Sequence, residues 1–232
     1  MRRRRSHAIA AAAACLAALA LPGTPAHADP GVLVYPGMEV IQGTNVCTLG
    51  FVDVRTRTAY TAGHCRGDGT VRDKTGTVIG TQMSFRDNTP DGATIDTNHQ
   101  ITDWQVIRLR PDVAVNDILP GGRVLVAGDA VEPEAGLRVC HFGVMTGESC
   151  GTIKAVYNGW FTMTDGVVSQ KGDSGGPVYV PGPDNRAALV GMFNSTWGEF
   201  PAAVSWRQTS QQMEQEVISA ASANVEAPAG MP

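Results

Sequence analysis

Two short stretches of this chain carry side chains that could make and break an acyl bond. The first is Lys171-Gly172-Asp173-Ser174-Gly175-Gly176-Pro177. A serine hydroxyl is a weak nucleophile until a base takes its proton. Its attack on a carbonyl builds an oxyanion that needs donors already in place. Glycines on both sides of Ser174 let the backbone turn tightly with its N–H groups facing inward. A plain polar turn has the same composition, so the stretch needs a partner. Thr61-Ala62-Gly63-His64-Cys65 supplies one. Its imidazole can act as a general base near neutral pH, and the adjacent cysteine could be anchored by a disulfide to Cys47. Asp103 could orient that imidazole. It opens the apolar run Trp104–Leu109, 39 residues after His64 and 71 before Ser174. Asp96 is the other carboxylate near this strand, and a turn-capping role is the alternative for Asp103.

Together these motifs resemble the trypsin/chymotrypsin-like serine peptidases, and more closely their small secreted bacterial branch of the streptogrisin and α-lytic type. Thr61–Cys65 is similar to that branch's histidine motif. Cys47-Thr48-Leu49-Gly50-Phe51 resembles the strand that opens its first barrel. Val139-Cys140-His141-Phe142-Gly143, with Thr146-Gly147 and Cys150-Gly151, resembles its second disulfide loop. The likeness runs from about Cys47 to Phe193, most of the chain. It implies two six-stranded antiparallel β-barrels with the active site between them. By the same resemblance, Ser174 attacks the peptide carbonyl. His64 takes and returns the proton, and Asp103 holds the imidazole's tautomer. The backbone N–H groups of Gly172 and Ser174 form the oxyanion hole, and Asp173 braces the loop.

The resemblance also locates the substrate pocket. Its floor falls at Val168, Ser169, Gln170 and Lys171, and one wall at Phe193 to Thr196, with Val168, Ser169, Phe193 and Asn194 as the expected contacts. Neither stretch holds Asp or Glu, so a buried basic side chain would go unpaired. The expectation is cleavage after a medium-sized uncharged residue. Asp165 and Glu199 lie just outside these stretches. Three features depart from the family. Gln105 stands where a small residue is usual. No cysteine follows Cys150. Asn194 takes the place of a serine, and the glycines that follow it in the family are missing.

The elements that must hold these residues read as strands. Short apolar segments alternate with Gly, Pro, Asn and Asp turns: Thr48–Val54, Thr58–Thr61, Thr70–Arg72, Thr77–Phe85, Trp104–Leu109, Arg123–Ala127, Gly136–Val144, Gly151–Val156, Pro177–Val180 and Ala187–Phe193. Their lengths and their Val, Ile, Thr and aromatic content indicate an all-β sandwich or barrel. Asp73–Gly76 and Pro181–Asp184 read as hairpin turns. Pro111 to Gly122 is the expected crossing between an N-terminal barrel (29–112) and a C-terminal barrel (113–232). One helix is expected near the end. Thr209 and Gln212 form a capping-box pattern, and Met213, Val217 and Ala221 share a face. Val225 to Pro232 reads as a loose tail.

The first 28 residues read as a secretory signal peptide. Arg2 to Arg5 are followed by an uncharged run from Ile9 to Ala20 and by Ala26-His27-Ala28. The adjacent arginines leave twin-arginine export as an alternative route. Cleavage would start the mature chain at Asp29, 18 residues before Cys47, which leaves no room for a pro-domain. The formal charge of −4 would become −8, because four arginines and no acid are lost. An acidic chain has no electrostatic reason to seek nucleic acid or anionic membrane. Cys47, Cys65, Cys140 and Cys150 remain, an even number that reads as two disulfides in an exported protein. Three pairings are possible, and short loop closure favours Cys47–Cys65 with Cys140–Cys150. A zinc site is the alternative, although no Cys-x-x-Cys pair is present. The expectation is a secreted, monomeric peptidase that acts on protein or peptide substrates without a cofactor, with no nucleic-acid or membrane partner. A protease-like binding protein and an esterase are the competing readings.

Overall fold

Alternation of apolar and polar side chains sets most strands. In Glu39–Gln42 the second and fourth residues point inward, and Thr58–Thr61 follows the same rule. The computed structural model describes residues 31–90, 96–128 and 131–226. In chain order the strands are β1 (Leu33–Val34), β2 (Glu39–Gln42), β3 (Asn45–Thr48), β4 (Phe51–Asp53), β5 (Thr58–Thr61), β6 (Thr70–Arg72), β7 (Val78–Asp87) and β8 (Asp103–Leu109). They continue with β9 (Ala114–Val115), β10 (Val124–Val126), β11 (Arg138–Gly143), β12 (Gly147–Val156), β13 (Trp160–Thr164), β14 (Pro177–Pro181), β15 (Arg186–Trp197) and β16 (Phe200–Ser205). The helix α1 (Trp206–Glu226) follows, and a single 3-10 turn covers Gly63–Cys65.

The first sheet has the order β3-β2-β6-β7-β8-β5-β4. Its two edges, β3 and β4, are separated in the chain only by Leu49 and Gly50. Leu49 N–H bonds Met38 O, and Gly50 N–H bonds Tyr60 O. The sheet therefore curls until both edges meet in one bent stretch. Val40, Leu49, Val52, Ala59, Val71, Ile79 and Ile107 fill its interior. The second sheet has the order β10-β15-β14-β11-β12-β13-β16, and an added β15–β16 pairing closes six of its strands into a ring. Inside are Val139, Ile153, Phe161, Met163, Val178, Val190 and Phe193. Within the two sheets every pairing is antiparallel except β10 on β15. The architecture is thus all-β with a C-terminal helix, as expected, and consists of one closed six-stranded barrel and one curled seven-stranded sheet where the resemblance implied a second six-stranded barrel. The segment between Leu109 and Val124 passes from one sheet to the other.

Several details differ from the sequence reading. β13 and β16 were not legible, because nearly every side chain in each is buried and no period-two pattern remains. The Thr48–Val54 segment is broken at Leu49-Gly50, where the chain changes partner strand. The helix begins at Trp206, three residues before the expected cap. Trp206 docks edge-on against Phe51 and Tyr60, with ring centroids 5.6 and 5.2 Å away, and this packing sets the start. Thr209 is buried inside the helix. The signal-peptide segment and the tail beyond Glu226 lie outside the described residues. Both disulfides have the local pairing, Cys47–Cys65 and Cys140–Cys150. Among the described residues, no helix is long and apolar enough to cross a membrane.

Candidate active site

His64 sits in the 3-10 turn that follows β5. The turn packs so closely against β7 that a side chain at Gly63 would collide with the Arg86 carbonyl oxygen. Next to it the Cys47–Cys65 bridge ties the turn to β3. Asp103, the first residue of β8, is 1% exposed. One of its oxygens accepts the His64 backbone N–H at 2.8 Å, and the other lies 2.8 Å from His64 Nδ1. An ionised carboxylate can only accept, so Nδ1 carries the proton and Nε2 is left as the acceptor. Burial pulls the His64 pKa down. The hydrogen bond and charge of Asp103, helped by Asp87 and opposed by Arg66, outweigh that and hold it above its ordinary value. Asp96, the other carboxylate considered, instead accepts a hydrogen bond from the Asn98 backbone N–H in its own turn.

Asn194 completes the surroundings of Asp103. It lies where β15 shifts register between Phe193 and Ser195, and such a bulge re-aims a side chain. Its Nδ2 donates to Asp103 Oδ2 at 2.5 Å and to Thr89 Oγ1 at 3.0 Å. The amide nitrogen is therefore committed to Asp103 and Thr89, while the buried Oδ1 has no hydrogen-bond partner among the described residues. Thr89 had no signal in the sequence. It is joined to the site through Asp87, which accepts the Thr89 N–H and pairs with Arg66. Gln105 is fully buried and exchanges hydrogen bonds with Gln42 at 2.8 and 2.7 Å, with a third to Gln82 at 3.0 Å. The side-chain amide of Gln105, where the resemblance implied a small residue, is thus held in a hydrogen-bonded network.

The loop that carries Ser174, between β13 and β14, is held from three sides. Asp173 accepts from Met145 N, Thr146 N, Thr146 Oγ1 and Gln170 N at 2.8, 3.3, 2.9 and 2.7 Å. Thr48 of β3 donates its N–H to Ser174 O at 2.8 Å and its hydroxyl to Gly172 O at 2.9 Å. Gly172 has φ +107°, a conformation that glycine tolerates. Among the described residues, the N–H groups of Gly172 and Ser174 have no acceptor. Ser174 Oγ lies 3.5 Å from Asn194 O, and no hydrogen bond joins it to the His64 ring. Ser174 and His64 nevertheless line the same cavity, of about 420 Å³. A hydrogen bond between nucleophile and base often forms or tightens only when substrate binds.

Ser169, Phe193 and Asn194 line this cavity, together with Gln170, Lys171 and Thr196. Val168 does not. Ser149 Oγ, which accepts the Val168 N–H and donates to its carbonyl, holds that backbone to β12, and the residue is 52% exposed. Asp165 and Glu199 are also outside the cavity lining. Asp165 accepts the Thr152 hydroxyl at 2.7 Å. Cys140, Cys150 and Glu148 come close together, but the two cysteines are joined to each other and offer no thiolate.

The fold is that of the trypsin-like serine proteases. A glutamic acid specific serine protease superposes with a TM-score of 0.58 at 19% identity, over 78% of this chain and 98% of its own. A chymotrypsin of Cellulomonas bogoriensis gives 0.52 at 26% identity, over 75% and 91%. A scabies mite inactivated protease paralogue gives 0.53 at 14% identity, over 79% and 92%. No family model matches the chain. The chain belongs to one family with an uncharacterized protein of Mycobacterium tuberculosis, found in two strains, to which it is 54% identical over 210 residues, 90% of this chain and 94% of that one.

Proposed function

We propose that the protein is a secreted serine endopeptidase. In this reading Ser174 Oγ attacks the carbonyl of a peptide bond while His64 Nε2 takes its proton. Asp103 stabilises the imidazolium, and the N–H groups of Gly172 and Ser174 receive the oxyanion. The imidazolium then protonates the leaving amine, and water releases the acyl group from Ser174 by the same steps in reverse. No cofactor enters this cycle. The observation that carries the reading is the His64–Asp103 pair, with both aspartate oxygens engaged, facing Ser174 across one cavity. The two local disulfides support export, since such bonds persist in oxidising compartments. The test is hydrolysis of a mixed peptide library. Ser174→Ala and His64→Ala should each lower the rate by roughly 10⁴ or more without adding when combined, and Asp103→Asn should be nearly as damaging. Asp96→Asn being the inactivating change, with Asp103→Asn mild, would overturn the assignment of the acid.

A second reading has an observation of its own. Ser174 Oγ points at Asn194 O and makes no hydrogen bond to His64, and the same fold serves an inactivated protease paralogue. A protease-like binding protein with little or no turnover would show folded, exported protein with no cleavage of any library member.

A further inference from the structure

Resting on the peptidase reading, the next question is what holds its base in place. The His64 side chain is 31% exposed, so burial alone does not fix its ring. A path of hydrogen bonds leads from Asp103 back to the same turn. Asp103 accepts the His64 N–H at 2.8 Å through one oxygen and Asn194 Nδ2 at 2.5 Å through the other. The second hydrogen of Nδ2 goes to Thr89 Oγ1 at 3.0 Å. Thr89 N–H donates to Asp87 Oδ1 at 3.0 Å, and Asp87 Oδ2 pairs with Arg66 Nη1 at 2.5 Å. Arg66 Nη1 also donates at 3.2 Å to the carbonyl oxygen of Gly63, the residue before His64. The path closes on itself around the base.

We propose that Arg66, Asp87 and Thr89 are positioning residues for His64, members of one hydrogen-bonded ring that clamps the His64–Asp103 pair. The ring joins the His64 turn, the end of β7 and the start of β8 to Asn194 of β15 in the other sheet. Thr89 is the acceptor that matters most. Asn194 Oδ1 has no partner among the described residues, so only Asp103 and Thr89 orient that amide. Arg66 is steadied in turn by the Phe85 ring, 4.7 Å from its guanidinium carbon. The ring also has an electrostatic effect. It carries two carboxylates against one guanidinium, and an excess of negative charge favours the imidazolium that forms in the reaction. Asp103, Asp87 and Arg66 are the charged groups that act on His64. Lys171 lines the same cavity, and Arg86 on β7 is paired with Glu216 of α1.

The experiment uses the exported protein, a peptide it cleaves, and an alkyl fluorophosphonate whose rate of attachment to Ser174 is followed against pH. Asp87→Asn keeps the side chain's shape and removes a negative charge, so the midpoint of the rise in labelling rate should fall by about 0.5 pH unit. Arg66→Gln removes the opposing positive charge, so the midpoint should rise by about the same amount. Loosening of the fold alone would not move the two in opposite directions. Thr89→Val should lower kcat about tenfold with KM changed less than about twofold, and Thr89→Ser should restore it. Labelling of Ser174 with midpoints that stay put or move together, with kcat unchanged in Thr89→Val, or with Thr89→Ser as slow as Thr89→Val, overturns the ring and leaves the peptidase reading standing. A natural protein that shows neither labelling nor cleavage overturns both.

Discussion

His141 should make this protein lose stability in mild acid. The residue lies in β11 against Gly176 of the loop that carries Ser174, and it is fully buried. Its ring rests on Phe193 with centroids 4.8 Å apart. Nδ1 lies 3.3 Å from Pro177 O, and Nε2 has no partner. Burial opposes the charged form more than the Asp173 carboxylate and the Pro177 carbonyl favour it. The pKa is pushed down to about 4, from 6.5 for a free histidine. Between those values the unfolded chain binds a proton that the folded chain refuses, so unfolding becomes easier as pH falls. The full shift corresponds to about 3 kcal/mol, present above pH ~6.5 and gone near pH ~4. His64 works in the opposite direction, because its raised value strengthens the fold as pH drops. The measurement must therefore isolate His141. Urea unfolding of the natural protein and of His141→Phe at several pH values from about 7.5 to about 4 does this. The variant should be the less stable at the upper end, having lost the contact to Pro177 O. It should recover by about 3 kcal/mol relative to the natural protein at the lower end. A stability difference that stays constant with pH would refute the reasoning.

Asn194→Ala removes a hydrogen bond to a buried carboxylate, of a kind worth roughly 1.5–3 kcal/mol. It should lower kcat/KM by about 10- to 100-fold in peptide assays while the fold persists. kcat/KM should rise with pH as His64 loses its proton, with its midpoint above the ordinary histidine value of 6.5. A midpoint well below that value would contradict the His64–Asp103 pairing. By the same linkage, the stability that the charged pair contributes is complete below pH 6.5 and is lost as pH climbs through the folded value. Replacing Cys140 and Cys150 together by alanine opens a bridge between residues 10 apart. It should cost about 3 kcal/mol in urea unfolding.

The parts of the site that were legible in the sequence are those whose chemistry is local. Gly172 to Gly176 and Thr61 to Cys65 had to be contiguous, because a tight turn and an anchored imidazole are built from neighbours in the chain. Asp103 was legible because it opens a strand. Thr48 and Thr89 were not. Their roles depend on β3 passing beneath Ser174 and on the second residue after β7 reaching β15, which no spacing in the sequence records. Val168 was read as lining the pocket from its place before Ser174, but it is not among the residues that line the cavity, and its backbone is bonded to Ser149 instead. In the fold, exposed alternation was the readable signal. Strands wrapped on both faces, such as Trp160–Thr164 and Phe200–Ser205, gave none. The helix start at Trp206 followed from packing on Phe51 and Tyr60 rather than from a cap.

The central claim is that Ser174 is activated by His64, and covalent labelling tests it most directly. The folded, exported protein is incubated at neutral pH with an alkyl fluorophosphonate, and the adduct is located by peptide mass mapping. The account predicts one label per chain, on Ser174, absent in Ser174→Ala and slowed by orders of magnitude in His64→Ala. Folded protein that takes up no label would contradict it, and would leave a protease fold used for binding.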